Sequence, residues 1–220
     1  MESIYFLDTM KIKEKIKVLS EDRNIAEVIS RRIKEFEGNY RKGSKRWFKE
    51  LCFCLLTANF KAQQSIEICT EECKSNAFIK YSREDLSEFL KRQKYRFPNT
   101  RAGYIVEARK YAAEIKNVIT GFDSEKEARE WLVKNVKGIG YKEASHFLRN
   151  VGYKDVAILD RHILKVLYEN RIIPEIPGQL SKKTYLMIEN LVQEIADDLK
   201  ISLAELDLFL WYMKTGRVLK

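Results

Sequence analysis

Apolar residues along this chain recur mostly at helical intervals, and stretches that alternate apolar and polar in strand fashion are scarce. Ile25, Val28, Ile29, Ile33 and Phe36 keep the i, i+3, i+4 spacing of one helix face and predict a helix ending near Gly38. Trp47, Leu51 and Leu55 begin another, and Ala102, Ile105, Val106 and Ala112 mark a helix after Pro98. Ser124-Glu125-Lys126-Glu127 reads as a capping box that opens a short helix through Ala128, Trp131 and Leu132. Ala144, Phe147 and Leu148 predict the next helix, and Leu164, Leu167 and Tyr168 the one after it. Ile188, Leu191, Val192, Ile195 and Leu199 mark a long helix. Ser202-x-x-Glu205 is a second capping box, ahead of a last helix with Leu206, Leu210 and Met213. Gly38, Gly43 and Ser44 punctuate one loop, and Pro174, Pro177 and Gly178 another. No repeat of solenoid period is present. The expected fold class is all-α with short connections.

The length of 220 residues fits one large domain or two small ones, with a core that needs no staples. With 45% hydrophobic and 33% charged residues the balance is that of a soluble globular protein. No run approaches the roughly 18 apolar residues of a membrane span, so no integral membrane protein is expected. The start, MESIYFLDTMKIKEK, lacks the basic head, apolar stretch and small-residue cleavage site of a secretory signal, which points to a reducing cytosol. Lysines and arginines number 41 against 32 acidic residues, a net charge of +9. Such an excess attracts polyanions through phosphate contacts and counterion release, although a solubilising surface carries the same charge. The four cysteines, Cys52, Cys54, Cys69 and Cys73, do not keep zinc-ribbon or finger spacing. Cys52 and Cys54 lie in the apolar run LCFCLLTANF and are expected to pack as small hydrophobes.

The informative stretch is Lys137-Gly138-Ile139-Gly140-Tyr141-Lys142-Glu143-Ala144, between two helical patterns. Two glycines around one apolar residue permit a turn too tight for side chains. Gly140 then opens a new helix whose orphan backbone N–H groups can bind a phosphate. Helix, glycine turn, helix is a helix-hairpin-helix, a grip on the DNA backbone; an ordinary αα-hairpin with a glycine turn uses the same pattern. Lys142 falls in the first turn of that helix, the end that disfavours a cation, which makes its uncharged amine a candidate nucleophile. Asp160 ends the apolar run Ala157-Ile158-Leu159 just before Arg161-His162 and reads as a helix N-cap, a carboxylate able to stabilise a nearby positive charge.

KGIGYKEA followed by VAILDRHI resembles the helix-hairpin-helix–GPD superfamily of DNA glycosylases. The resemblance implies that Lys142 and Asp160 form the active site, on opposite walls of a cleft between two helical subdomains. The implied subdomains are residues 1–58 plus 156–220, and 59–155 with the hairpin at about 124–151. Members with an iron–sulfur cluster carry cysteines near the C-terminus; here the last is Cys73, so no cluster is expected. Lys142 implies lyase activity as well as base removal. LCFCLLTAN, Arg96-Phe97-Pro98-Asn99-Thr100-Arg101-Ala102, and the tail from Leu208 to Lys220 resemble the small archaeal-type 8-oxoguanine DNA glycosylases, the second Ogg family. By that resemblance Phe97 and Trp211 flank the flipped base and the carboxylate of Lys220 reads it. Asn59 fills the gap left in the duplex, and Gly138, Ile139, Gly140 and Arg161 contact DNA. The carbonyls of Lys134, Val136 and Ile139 would hold a monovalent cation; no other cofactor is required.

Bland roles exist for several of these residues. Trp211 on an amphipathic helix is commonly core, Phe97 beside proline a loop anchor, and Asn59 a turn residue. His146 and His162 read as surface or supporting residues. The expected protein is a monomeric 8-oxoguanine glycosylase/lyase acting on damaged double-stranded DNA, without membrane attachment, in the nucleoid-associated cytoplasm of a prokaryote. A sister glycosylase for other oxidised bases and a non-catalytic helix-hairpin-helix DNA-binding module are the alternatives.

Overall fold

The computed structural model describes residues 2–218, with side chains from Thr9 onward. In chain order the helices are α1 (Glu2–Glu21), α2 (Arg23–Tyr40), α3 (Ser44–Thr57), α4 (Ala62–Ser75), α5 (Ala77–Lys80), α6 (Arg83–Arg92) and α7 (Pro98–Ala108). A 3₁₀ turn at Arg109–Tyr111 follows, then α8 (Ile115–Thr120), α9 (Glu125–Asn135), α10 (Tyr141–Asn150), α11 (Arg161–Glu169), α12 (Lys182–Leu199) and α13 (Leu203–Thr215). No strand occurs among the described residues, so the fold is all-α.

Local chemistry sets many of the boundaries. The second capping box forms in full: Ser202 Oγ accepts the Glu205 amide at 3.2 Å, and Glu205 Oε2 accepts the Ser202 amide at 2.9 Å. At Ser124 the hydroxyl accepts the Glu127 amide at 3.2 Å. Pro98 opens α7, where its missing N–H costs nothing. Helix α2 ends at Tyr40, two residues past the Gly38 near which its end is expected. Its last turn is held by tertiary bonds, since Asn39 Nδ2 donates to the Asn150 carbonyl at 2.9 Å and Trp47 Nε1 to the Asn39 carbonyl at 3.0 Å. Ala112 falls beyond α7, past the 3₁₀ turn.

The chain divides into two compact units, residues 1–37 with 152–220, and residues 38–151. The expected boundary at 58/59 is therefore displaced, because α3 belongs with the central unit: it packs on α4, α7, α8 and α10. That helix is buried almost throughout, with Trp47, Phe48, Leu51, Cys52, Cys54, Leu55 and Leu56 fully enclosed. A helix apolar all round is a core helix, which is why the run LCFCLLTA shows no polar face. In the terminal unit α13 packs on α1, α11 and α12. Lys214 ties α13 to α11 through Glu169, at 2.8 and 2.9 Å from its two oxygens. No helix among the described residues is long and apolar enough to cross a membrane.

Candidate active site

In the central unit, α9 and α10 form the expected hairpin around Val136–Gly140. Gly138 takes φ +86°, a left-handed conformation that side chains resist. A Cβ there would also lie 2.2 Å from Cδ2 of Tyr104, so the turn needs glycine for two independent reasons. Ile139 is 5% exposed and plugs the hairpin, its amide bonded to the Val136 carbonyl at 3.2 Å. Gly140 is the N-cap of α10 and has no Cβ to cover the first-turn N–H groups. The two helices are clamped by residues that the sequence did not single out. Arg129 is fully buried on α9, with Nη1 3.3 Å from Ser145 Oγ and its guanidinium 5.3 Å from the Tyr141 ring. The Tyr141 hydroxyl lies 2.6 and 2.7 Å from the two oxygens of Glu130 and donates to that carboxylate.

Lys142 stands in the first turn of α10, with Nζ 3.7 Å from Glu143 Oε1 and a side chain 22% exposed. It is sheltered yet reachable, on a helix whose other side is core. Of the two places expected for His146, surface or supporting, it does not take the surface: one turn on from Lys142 it is buried, with its ring edge-on to Phe53 at 5.5 Å. The carbonyls of Val136, at the C-cap of α9, and of Lys134, in its last turn, belong to the end where helix carbonyls lack helical partners. Hard oxygens of this kind suit a monovalent cation.

Asn59 follows α3 at φ +58°, exposed, in the left-handed region asparagine tolerates. Arg101, buried on α7, donates from Nη2 to the Ala58 carbonyl at 2.9 Å and lies 5.4 Å from the Tyr104 ring. It thus joins the Asn59 turn to the ring that fills the hairpin glycine. Tyr95 donates to the Leu56 carbonyl at 2.7 Å, and burial pushes its phenol above the ordinary range. Phe97 is half-buried at the N-cap of α7, with the Arg96 guanidinium 4.9 Å from its ring centre. The cysteines separate: Cys52 and Cys54 are buried in α3 as expected, whereas Cys69 is part-exposed and Cys73 exposed on α4. Burial raises the Cys52 thiol well above its usual value. Among the described residues no group of three or more His, Cys, Asp or Glu side chains is placed to hold a metal.

In the terminal unit Asp160 is the N-cap of α11, its Oδ1 accepting the His162 and Ile163 amides, each at 2.8 Å. Arg161 is exposed at the first position of that helix. His162, also exposed, sets its ring edge-on to Trp211 at 4.7 Å. Trp211 is thus a half-exposed residue near the end of α13, and its indole N–H has no acceptor among the described residues. Lys220 lies outside the described residues.

A glycine hairpin that presents a lysine, in an all-helical chain with an aspartate capping a later helix, defines the helix-hairpin-helix class of DNA glycosylases. The family model described as 8-oxoguanine DNA glycosylase, Ogg-HhH, matches residues 29–201, and the chain belongs to that family. It is 53% identical over 207 residues, 93% of its length and 99% of the other, to a Methanocaldococcus jannaschii protein named 8-oxoguanine DNA glycosylase/AP lyase. A protein of the same name from Korarchaeum cryptofilum is 48% identical over 196 residues, 89% of this chain and 92% of the other. Among solved structures, the M. jannaschii 8-oxoguanine glycosylase/lyase in complex with a 15mer DNA containing 8-oxoguanine superposes with a TM-score of 0.92 at 51% identity. It covers 96% of this chain and 100% of that one.

Proposed function

We propose that this chain is a bifunctional 8-oxoguanine DNA glycosylase/AP lyase, which excises the oxidised purine from duplex DNA and then cleaves the strand at the abasic site. The observation that carries this reading is the part-exposed amine of Lys142 in the first turn behind the glycine hairpin. A base in a duplex is out of reach, so the lesion is flipped at a cost of about a few kcal/mol, offset by stacking on aromatic faces. Phe97 and Trp211 are the proposed walls, and Lys220 the group that reads the base. Asn59 fills the vacated space from its exposed left-handed turn, and Arg161 and the N–H groups after Gly140 grip phosphates.

The uncharged amine of Lys142 attacks C1′, and the glycosidic bond breaks with its electron pair leaving on the base. Asp160 stabilises the positive charge that builds on the sugar. Loss of the amine proton and opening of the sugar ring give a Schiff base. A proton leaves C2′ and the C3′–O bond breaks, expelling the 3′ phosphate; water then releases the lysine. The amine and the carboxylate supply this chemistry without a cofactor. A monovalent cation on the carbonyls of Lys134, Val136 and Ile139 would add positive charge beside the phosphate grip. The proposed setting is a monomer acting on the genome of a prokaryotic cell, in the nucleoid.

Borohydride reduction of the Schiff base tests the reading. Lys142→Gln abolishes borohydride trapping and nicking of an 8-oxoguanine duplex while damaged-DNA binding persists. Trapping that survives the substitution moves the nucleophile elsewhere.

A further inference from the structure

The segment Ala157–Leu159 carries no helix, turn or bend and runs buried into Asp160, with exposures between 2% and 6%. Buried backbone N–H and C=O groups must find partners, and an extended segment ordinarily finds them on a neighbouring strand. Among the described residues there is no strand. Two side chains of α12 take the strand's place. Glu189 Oε1 accepts the Ala157 amide at 2.9 Å. The Tyr185 hydroxyl donates to the Ala157 carbonyl at 2.7 Å and accepts the Leu159 amide at 3.3 Å. The backbone groups engaged belong to alternate residues, whose polar edges point the same way in an extended chain. Tyr185 is 2% and Glu189 1% exposed, and they stand four residues apart, on one face of the helix.

The latch ends where the cap begins. The residue after Leu159 is Asp160, whose Oδ1 is committed to the two amides of α11. The carboxylate is thus fixed downstream by its own cap and upstream by α12. A cap bond alone leaves the entering backbone free to swing about the first turn, and the latch removes that freedom. Burying a tyrosine hydroxyl and a glutamate to bond one loop is costly unless every bond is made.

We propose that Tyr185 and Glu189 are positioning residues for Asp160: they act as a two-residue substitute for a β-strand that sets the height and direction of the carboxylate toward the sugar. This rests on the reading of Asp160 as the charge-stabilising group. A displacement of about 1 Å at such a group costs on the order of 100-fold in rate.

The test is single-turnover excision of 8-oxoguanine by the full chain, with lesion-duplex affinity and Tm measured in parallel. Tyr185→Phe keeps the ring and deletes the hydroxyl. It is expected to slow excision by about 10- to 100-fold with affinity unchanged. In an Asp160→Asn background the same substitution is expected to add nothing, because the group it positions is already disabled. Glu189→Leu should behave like Tyr185→Phe, and Glu189→Gln, whose amide oxygen still accepts the Ala157 N–H, should restore most of the rate. Equal losses from Tyr185→Phe in both backgrounds, or losses that track Tm and affinity, would show a general structural role and overturn the proposal, as would an unchanged rate. A wild-type rate in Asp160→Asn alone would instead sink the catalytic reading of Asp160.

Discussion

Alanine at Gly138 puts the hairpin geometry under direct test. The substitution forces an L side chain into φ +86° and drives its Cβ to 2.2 Å from Tyr104 Cδ2. The left-handed backbone costs about 1–2 kcal/mol and the overpacking about 1–3 kcal/mol, a total of about 2–5 kcal/mol. At about 2–4 °C per kcal/mol for a protein of this size, calorimetry should show Tm falling by roughly 4–20 °C. The overpacking share of that range depends on how far the Tyr104 ring can move, which the Arg101 guanidinium packed over it at 5.4 Å restricts. A second substitution isolates that part. In Tyr104→Ala the clash is gone, so Gly138→Ala should then cost only the backbone part, about 1–2 kcal/mol. The hairpin also carries the first turn of α10, so borohydride trapping by Gly138→Ala should drop even at temperatures where the variant is folded. A Tm within about a degree of wild type, or equal costs in the two backgrounds, would refute the assignment of the turn.

Other outcomes follow from the same structure. Arg101→Met deletes the 2.9 Å bond to the Ala58 carbonyl and should lower stability by about 1.5–3 kcal/mol, with a larger loss of affinity for lesion duplex than for undamaged duplex, since the Asn59 turn is what it tethers. Parallel loss on both duplexes in a binding titration would dissociate Arg101 from that turn. Removing Lys220 should slow 8-oxoguanine excision while leaving trapping at a preformed abasic site intact; equal effects on both substrates would take Lys220 out of the base pocket. The Lys214 ammonium bonded to Glu169 holds that carboxyl below its usual range. A lowered folded-state pKa means stability that is present above the unfolded value and lost as pH falls through the folded one. The Tm gap between wild type and Lys214→Met should therefore be open at pH 7 and close below about pH 4. A gap that stays constant down to pH 3 would refute the coupling.

How much of this was readable from the chain depends on the distance over which each feature is decided. The motif KGIGYKEA announced its own turn, because the need for glycine, the plug of Ile139 and the helix start after Gly140 lie within a few residues. The Ser202–Glu205 box and the Asp160 cap were equally local, and both formed. Helices α1, α4, α5, α6 and α8 did not stand out, although Ser82 ahead of Asp85 was a legible cap for α6, with its hydroxyl accepting the Asp85 amide at 3.0 Å. The stripe on α12 was seen through Ile188, Val192 and Ile195. Tyr185 and Glu189 share its buried face, and a glutamate among those apolar positions was a usable signal of a buried acceptor. Nothing in the sequence, however, named Ala157 as its donor.

Short-range chemistry thus wrote the caps, the hairpin and the place of Lys142 behind it into the order of residues, where the competing states differ by single bonds within one or two turns. Which unit α3 joins, where Arg101 and Tyr104 reach, and what holds the segment before Asp160 depend on groups tens of residues apart. Those pairings are chosen by burial of whole helices and by the demand that every enclosed polar group find a partner, and that demand has an answer only once the chain is packed.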